Sequence, residues 1–322
     1  MTGRQRILTC MLGFDTELAD GTPLHDAGAE EWHAVLGEAA AVGFDAVEIA
    51  DSHIRPGDLS PSALGDLGDV ARETGVDLLS LHVQRRSVIM PGLGQENLAY
   101  AHRSIDAAAE LGIEVFSTGL HRPFTEAQRR SLWFWTAPGA SDPDDPEIRE
   151  LAVTRLRELG SHAASVGLEM SLEVYEDTYC GTADSAIALI EDIGLDNVGL
   201  NPDVGNLVRL HRPVDDWRET YRRLLPHANY WHLKNYARDE AGDGSWWTST
   251  PSTLELGVIN YRQVVRWARE LGYEGHYTME QYGGDSLGVC AVNRRYLEGL
   301  LADQANLGRI SPLPEPNEKR AS

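Results

Sequence analysis

One short junction recurs six times along this chain and constrains its fold more than any other feature. An amphipathic segment ends at glycine, an apolar residue and an acid follow, and a short β-like run begins. The instances are Gly43-Phe44-Asp45 before AVEI, Gly75-Val76-Asp77 before LLSL, Gly112-Ile113-Glu114 before VFS, Gly167-Leu168-Glu169 before MSLEV, Gly194-Leu195-Asp196 before NVGL and Gly272-Tyr273-Glu274 before GHYTM. Glycine suits the left-handed position that closes a helix, and the apolar residue after it packs back on the last turn. Strands that follow helices at this spacing pair in parallel through right-handed crossovers. Two further strands, near 7–12 and 228–231, bring the total to eight, the number that closes a (β/α)8 barrel. The helices are expected near 30–42, 61–74, 97–111, 147–166, 182–193, 214–225, 261–271 and 286–305. A doubly wound α/β sheet is the alternative, but the first βα turn carries no glycine-rich dinucleotide fingerprint. The expected organisation is therefore one barrel domain over 1–307 and a C-terminal tail, rich in proline and charge, over 308–322.

Composition narrows the function classes. A chain of 322 residues with 42% hydrophobic content can bury one large core. Its formal net charge of −22 repels a phosphate backbone, which argues against a nucleic-acid partner. No apolar run has the length of a signal peptide or a membrane span, so a soluble cytoplasmic protein is expected. Cys10, Cys180 and Cys290 have neither the spacing of a zinc knuckle nor the even count of a disulfide framework.

Three strand-to-helix connections are long, 84–96, 121–146 and 234–260, and in a barrel these lie on the catalytic face. The last two carry Trp133, Trp135, Trp246 and Trp247. These rings either form a stacking wall for a ligand or pin the loops to the rim.

The chemistry-bearing residues fall at strand ends, where side chains far apart in sequence converge. Glu173 closes the fifth strand, Asp203 follows the sixth, His232 ends the seventh and Glu280 ends the eighth. Each sits in an apolar run where an unpaired charge is expensive. Three carboxylates and an imidazole repel one another until a divalent cation joins them, and this mainly oxygen donor set suits Mn²⁺ first, with Mg²⁺ or Co²⁺ as alternatives.

The segments LEVYED, LNPDVGN, WHLKN and TMEQYGG resemble those of the xylose isomerase-like barrels, a family of sugar isomerases, ketose epimerases and inosose dehydratases, over about 7–301. The resemblance implies that Glu173, Asp203, His232 and Glu280 bind the metal. It also implies that Glu173 and Glu280 act as opposed acid and base, and that Arg238 contacts substrate. Many family members have His where this chain has Asn206, so the polar contact to substrate there is altered. The run from GTADSAIALIEDIGLDNVGLNPDVGN to HRPVDDWRETY, with NYWHLKNYARDE and EQYGGD, is similar to the large subunit of bacterial C-glycoside deglycosylases. Those enzymes act with a small β-rich partner on 3-oxo-glycosides.

A cation on a sugar carbonyl and its neighbouring hydroxyl acidifies the adjacent C–H. Return of the proton to another carbon isomerises, return to the other face epimerises, and loss of a β-substituent eliminates. The preferred expectation is elimination from a 3-oxo-C-glycoside, with a free-sugar isomerase or epimerase as the alternative and a non-catalytic sugar-binding barrel as the third reading. His121, just after the fourth strand, is a further acid/base candidate or a structural histidine. His53, His82, Asn206, Lys234 and Arg238 are the candidate substrate contacts, with hydrogen bonding within the rim as the alternative for His53 and His82 and support of the metal ligands as the alternative for Lys234, and an oligomer is expected.

Overall fold

The computed structural model describes residues 5–302, so the expected tail 308–322 and the domain end at 307 lie outside the described residues. The strands are β1 (Ile7–Cys10), β2 (Ala46–Ala50), β3 (Asp77–Val83), β4 (Val115–Thr118), β5 (Glu169–Glu173), β6 (Val198–Asn201), β7 (Trp231–Leu233), β8 (Asn235–Glu240), β9 (Trp247–Ser252) and β10 (Tyr277–Met279). The helices are α1 (Ala29–Ala41), α2 (Pro61–Thr74), α3 (Gly94–Glu110), α4 (Glu126–Arg130), α5 (Pro146–Ser165), α6 (Ala183–Ile193), α7 (Gly205–Val208), α8 (Trp217–Leu224), α9 (Tyr261–Glu270) and α10 (Ser286–Ala302).

Each junction glycine has a positive φ, from 64° at Gly194 to 98° at Gly43. The following N–H then turns back onto the helix: Phe44 donates to the Ala39 carbonyl, Val76 to Ala71, Ile113 to Ala108, Leu168 to Ala163 and Tyr273 to Ala268. This is the Schellman closure, and Phe44, Val76, Ile113 and Leu168 are buried behind it. The acids that follow start the strands at the rim, where Arg6 bridges Asp45 at 3.0 Å and Asp77 at 3.2 Å.

Eight strands form one parallel sheet in the order β6-β5-β4-β3-β2-β1-β10-β7. Between β6 and β7 the ladder is reduced to a parallel bridge from Leu200 to Ala228. Beside it, the Asn201 side-chain oxygen accepts from the His232 backbone N–H at 2.8 Å. These two contacts bring the sheet ends together, and the molecule is a single, nearly closed (β/α)8 barrel. Apolar side chains pack between strands and helices, whereas the barrel axis holds Thr9, Glu48, Ser80, Ser117, Ser171, Tyr230 and Thr278, all fully buried.

One expectation needs correction. The seventh strand begins at Trp231, because a 3-10 turn occupies Leu225–His227 and Ala228 contributes only the bridge; His232 is thus its central residue. The connection 234–260 holds an antiparallel hairpin, β8 with β9, which lets the backbone groups of a long excursion pair with one another. In the other long loop Trp133 stacks on Trp135, and Trp135 is buried with its indole N–H donating to the Ser249 carbonyl. That tryptophan pins loop to hairpin. The three cysteines are free and fully buried. Among the described residues no helix is long and apolar enough to cross a membrane.

Candidate metal centre and its vestibule

The C-terminal ends of β5, β6, β7 and β10 deliver Glu173, Asp203, His232 and Glu280 to one buried point. One donor atom from each lies within 4.8 Å of the others. His232 Nδ1 is 2.9 Å from Glu280 Oε2, 3.8 Å from Glu173 Oε1 and 3.9 Å from Asp203 Oδ2. Its other nitrogen, Nε2, lies 3.0 and 3.1 Å from the two oxygens of Glu48, a β2 residue that sequence reasoning missed. Glu48 is fully buried and also accepts from Ser80 Oγ at 2.9 Å and the Tyr230 hydroxyl at 2.7 Å. With Nε2–H donated to Glu48, the Nδ1 lone pair faces carboxylate oxygens, and a proton or a metal ion must stand between them. Asp203 Oδ1 is buried without a hydrogen-bond partner among the described residues. An unpartnered carboxylate oxygen within a group of three carboxylates and one oriented imidazole fits a divalent cation.

Lys234 shares the inward face with His232, two residues on. Its Nζ lies 2.6 Å from Asp203 Oδ2, 2.6 Å from Glu280 Oε1 and 3.9 Å from Glu173 Oε1. It meets metal-ligand candidates directly, a support to the ligands, which is one of the two placements expected of it. Burial pushes the Asp203 carboxyl up to about 7, against Lys234 and with the repulsion of Glu280 and Glu173. Burial acts on Glu280 the same way, but Lys234 and His232 hold it below the usual carboxylate range. Gly205 lets these groups meet: a Cβ there would stand 2.6 Å from Lys234 Cγ and 2.9 Å from Asp203 Oδ1.

Glu173 is gripped from several sides. Asn206 Nδ2 donates to Oε1 at 2.8 Å, while His121 Nε2 and His82 Nε2 lie 2.9 and 3.2 Å from Oε2. Burial opposes its charge, yet His121 and His82 hold the carboxyl well below its ordinary range. The rings of His121, His82 and His232 stack in a row, with centroids 5.7 and 5.0 Å apart. Asn206, His82 and His121 therefore position Glu173 in this structure.

His53 is buried between Ser52 Oγ at 3.0 Å and the Phe14 carbonyl at 2.9 Å, on the wall of the outer cavity. Arg238 differs from the expectation. Its guanidinium donates to the carbonyls of Val208, Leu210 and Arg212, tying β8 to the 208–212 segment, and it lines neither cavity.

Two neighbouring spaces with shared lining residues lie beside the ligands. The inner one, about 10 Å³, is bounded by His82, His121, Glu173, Tyr175 and Glu280. The outer vestibule, about 680 Å³, carries Phe14, Met90, Phe124 and Phe134 on its apolar wall. Leu12, Gln84, Arg85 and Tyr282 line both. Phenylalanine and tyrosine, and none of the loop tryptophans, form its aromatic surface.

The sequence profile of the xylose isomerase-like TIM barrel family matches residues 36–301. A protein of that description from Mycobacterium smegmatis, whose crystal structure contains magnesium, is 43% identical and superposes with a TM-score of 0.88 over 92% of this chain and 96% of that one. The D-psicose 3-epimerase of Enterocloster bolteae is 20% identical over 266 residues, 79% of each chain. At the level of fold alone, the Clostridium cellulolyticum D-psicose 3-epimerase solved with D-tagatose is similar, with 15% identity and a TM-score of 0.66 over 92% of this chain and 99% of that one.

Proposed function

This chain belongs to the xylose isomerase-like TIM barrel family, and from that premise we propose that it is a divalent-metal-dependent sugar epimerase or isomerase. The observation that carries the reading is the buried group Glu173, Asp203, His232 and Glu280, whose donor atoms converge and of which Glu173 and Glu280 border the small inner space. A cation held there would stabilise negative charge on substrate oxygens and so favour loss of the neighbouring carbon-bound proton. The magnesium in the Mycobacterium smegmatis neighbour makes Mg²⁺ the first ion to test, with Mn²⁺ and Co²⁺ beside it.

Glu173 and Glu280 reach the inner chamber from β5 and β10 and are the proposed proton acceptor and donor. His121 Nε2, 2.9 Å from Glu173 Oε2, is placed to carry a proton to or from that oxygen. Asn206 keeps the carboxylate from rotating by holding Oε1. Lys234 compensates the charge of Asp203 and Glu280. Incubation with ketohexoses in deuterated water tests the reading: metal-dependent deuterium uptake next to the carbonyl supports it, and no uptake with any ketose or oxo-sugar would favour a barrel that only binds.

The size and apolar wall of the vestibule favour a second reading, in which the same proton removal from a 3-oxo-C-glycoside is followed by loss of an aryl group. Under that reading Mg²⁺ or Mn²⁺ serves equally, and a small β-rich partner is expected to raise activity. Release of a phenolic aglycone from a 3-oxo-C-glucoside, absent in Glu173→Gln, distinguishes elimination from epimerisation.

A further inference from the structure

The vestibule concentrates positive charge on a strongly acidic protein. Arg55, Arg85 and Arg86 all line it, on a chain of formal net charge −22. Arg86 is matched by Asp51, its Nε 3.0 Å from Oδ2. Arg55 faces Asp58 at 3.9 Å, but Asp58 also takes Arg103 at 2.7 Å. Arg85 has no carboxylate partner among the described residues.

Arg85 is also the residue most deliberately placed. Its backbone φ is +51°, a left-handed conformation that side-chain-bearing residues adopt at a cost and that gathers at ligand-binding positions. The guanidinium lies flat on the Phe124 ring, 3.4 Å from its centroid. Nη1 donates to the Arg122 carbonyl at 2.8 Å and Nη2 to the Tyr175 hydroxyl at 2.9 Å. Two of the five N–H groups of a guanidinium are thus engaged, its orientation is fixed, and a full charge remains unneutralised. Arg85 lines both the vestibule and the inner chamber that Glu173 and Glu280 border, so a ligand on its free edge is held on the side of those carboxylates.

We propose that Arg85 anchors an anionic substituent of the substrate, a carboxylate or phosphate on the sugar, seated in the vestibule with the reacting carbons turned toward Glu173 and Glu280. The assignment rests on the proton-transfer reading above and specifies its substrate class. A fixed guanidinium with spare N–H donors pairs with a planar carboxylate or a phosphate in charge-assisted hydrogen bonds, and the positive rim draws anions toward the mouth against the overall negative field.

Calorimetric titration of the Mg²⁺-loaded full-length chain with D-fructose, D-fructose 6-phosphate and 5-keto-D-gluconate tests it. At least one anion is expected to bind about tenfold or more tightly than D-fructose, the difference of a charge-assisted contact. Preference for the phosphate identifies a sugar phosphate, and preference for the keto-acid identifies a sugar acid. In Arg85→Gln that preference is expected to collapse to about unity. Arg85→Gly provides a second variant that also removes the guanidinium while fitting the left-handed backbone, so it guards against a folding defect. Equal binding of all three probes by the wild-type chain, or a preference that survives in both variants, overturns the assignment. Because binding is read, that result leaves the proton-transfer reading standing; absent deuterium exchange with an intact anion preference would do the reverse.

Discussion

Glu48 holds His232 by one ring nitrogen and so turns the other toward the carboxylates of Glu173, Asp203 and Glu280. The contact, 3.0 to 3.1 Å from His232 Nε2, fixes the tautomer whose Nδ1 carries the free lone pair. Glu48→Ala is therefore expected to weaken Mg²⁺ binding about 10- to 100-fold, the usual effect of losing an outer partner of a metal-binding histidine. Glu48→Gln, whose amide oxygen still accepts from Nε2–H, should fall between. Calorimetry decides, and an alanine variant with wild-type affinity would show that barrel packing alone orients the ring.

Metal analysis of purified protein is expected to find about one divalent ion per chain, lost in Glu173→Gln and Asp203→Asn, since each variant removes a charged donor. An ion bound only by the native state also raises the melting temperature with concentration. The wild-type chain should show this rise on adding Mg²⁺ and Asp203→Asn should not; equal shifts in both would place binding elsewhere.

Lys234 is buried against Asp203 and Glu280, each 2.6 Å away. Removing one member of such an array leaves uncompensated buried charge, so Lys234→Met should destabilise the metal-free protein by about 3–5 kcal/mol. Adding Asp203→Asn should recover part of the loss, because the abandoned charge goes with it. Urea melts of the two single variants and the double variant measure the coupling, and strict additivity would rule it out.

Gly205→Ala introduces a methyl 2.6 Å from Lys234 Cγ and 2.9 Å from Asp203 Oδ1. Neither atom can yield without moving a site residue, so a cost of about 1–3 kcal/mol is expected together with weaker Mg²⁺ binding. A variant that loses stability but binds Mg²⁺ normally would mean that the strain is absorbed away from Asp203.

His276, at the opposite end of the barrel, accepts the Arg6 N–H on Nδ1 at 3.2 Å and places Nε2 3.2 Å from Glu114. Burial lowers its pKa from 6.5, although Glu114 opposes the shift. The folded-state value thus lies below the unfolded one. Its stability contribution is complete above 6.5 and is lost as pH falls from there through the folded-state value. His276→Gln should flatten the loss of unfolding free energy as pH falls below about 6.5, as unfolding at stepped pH would show. An unchanged slope would assign the acid sensitivity to other groups.

The sequence by itself determined the barrel and the four converging residues. Glycine, an apolar residue and an acid form a local signal, because a helix closure needs a left-handed residue and a hydrogen bond five residues back, as at Val76 and Ala71. The carboxylates and His232 were legible because charge inside apolar strand runs demands a partner, and parallel strands bring their ends together. Tertiary structure alone decided what surrounds them. Glu48 sits in AVEI like any alternating strand residue, and only barrel closure carries it to His232, 184 positions away. Closure likewise turns Asn206, His82 and His121 onto Glu173, seats Lys234 among the ligands and takes the Arg238 guanidinium to the 208–212 segment. Local spacing encodes how a segment folds and which end of a strand a residue occupies. Which of several inward-facing polar groups meets which is set by strand register and stagger around the closed sheet, and those exist only once all eight strands are in place.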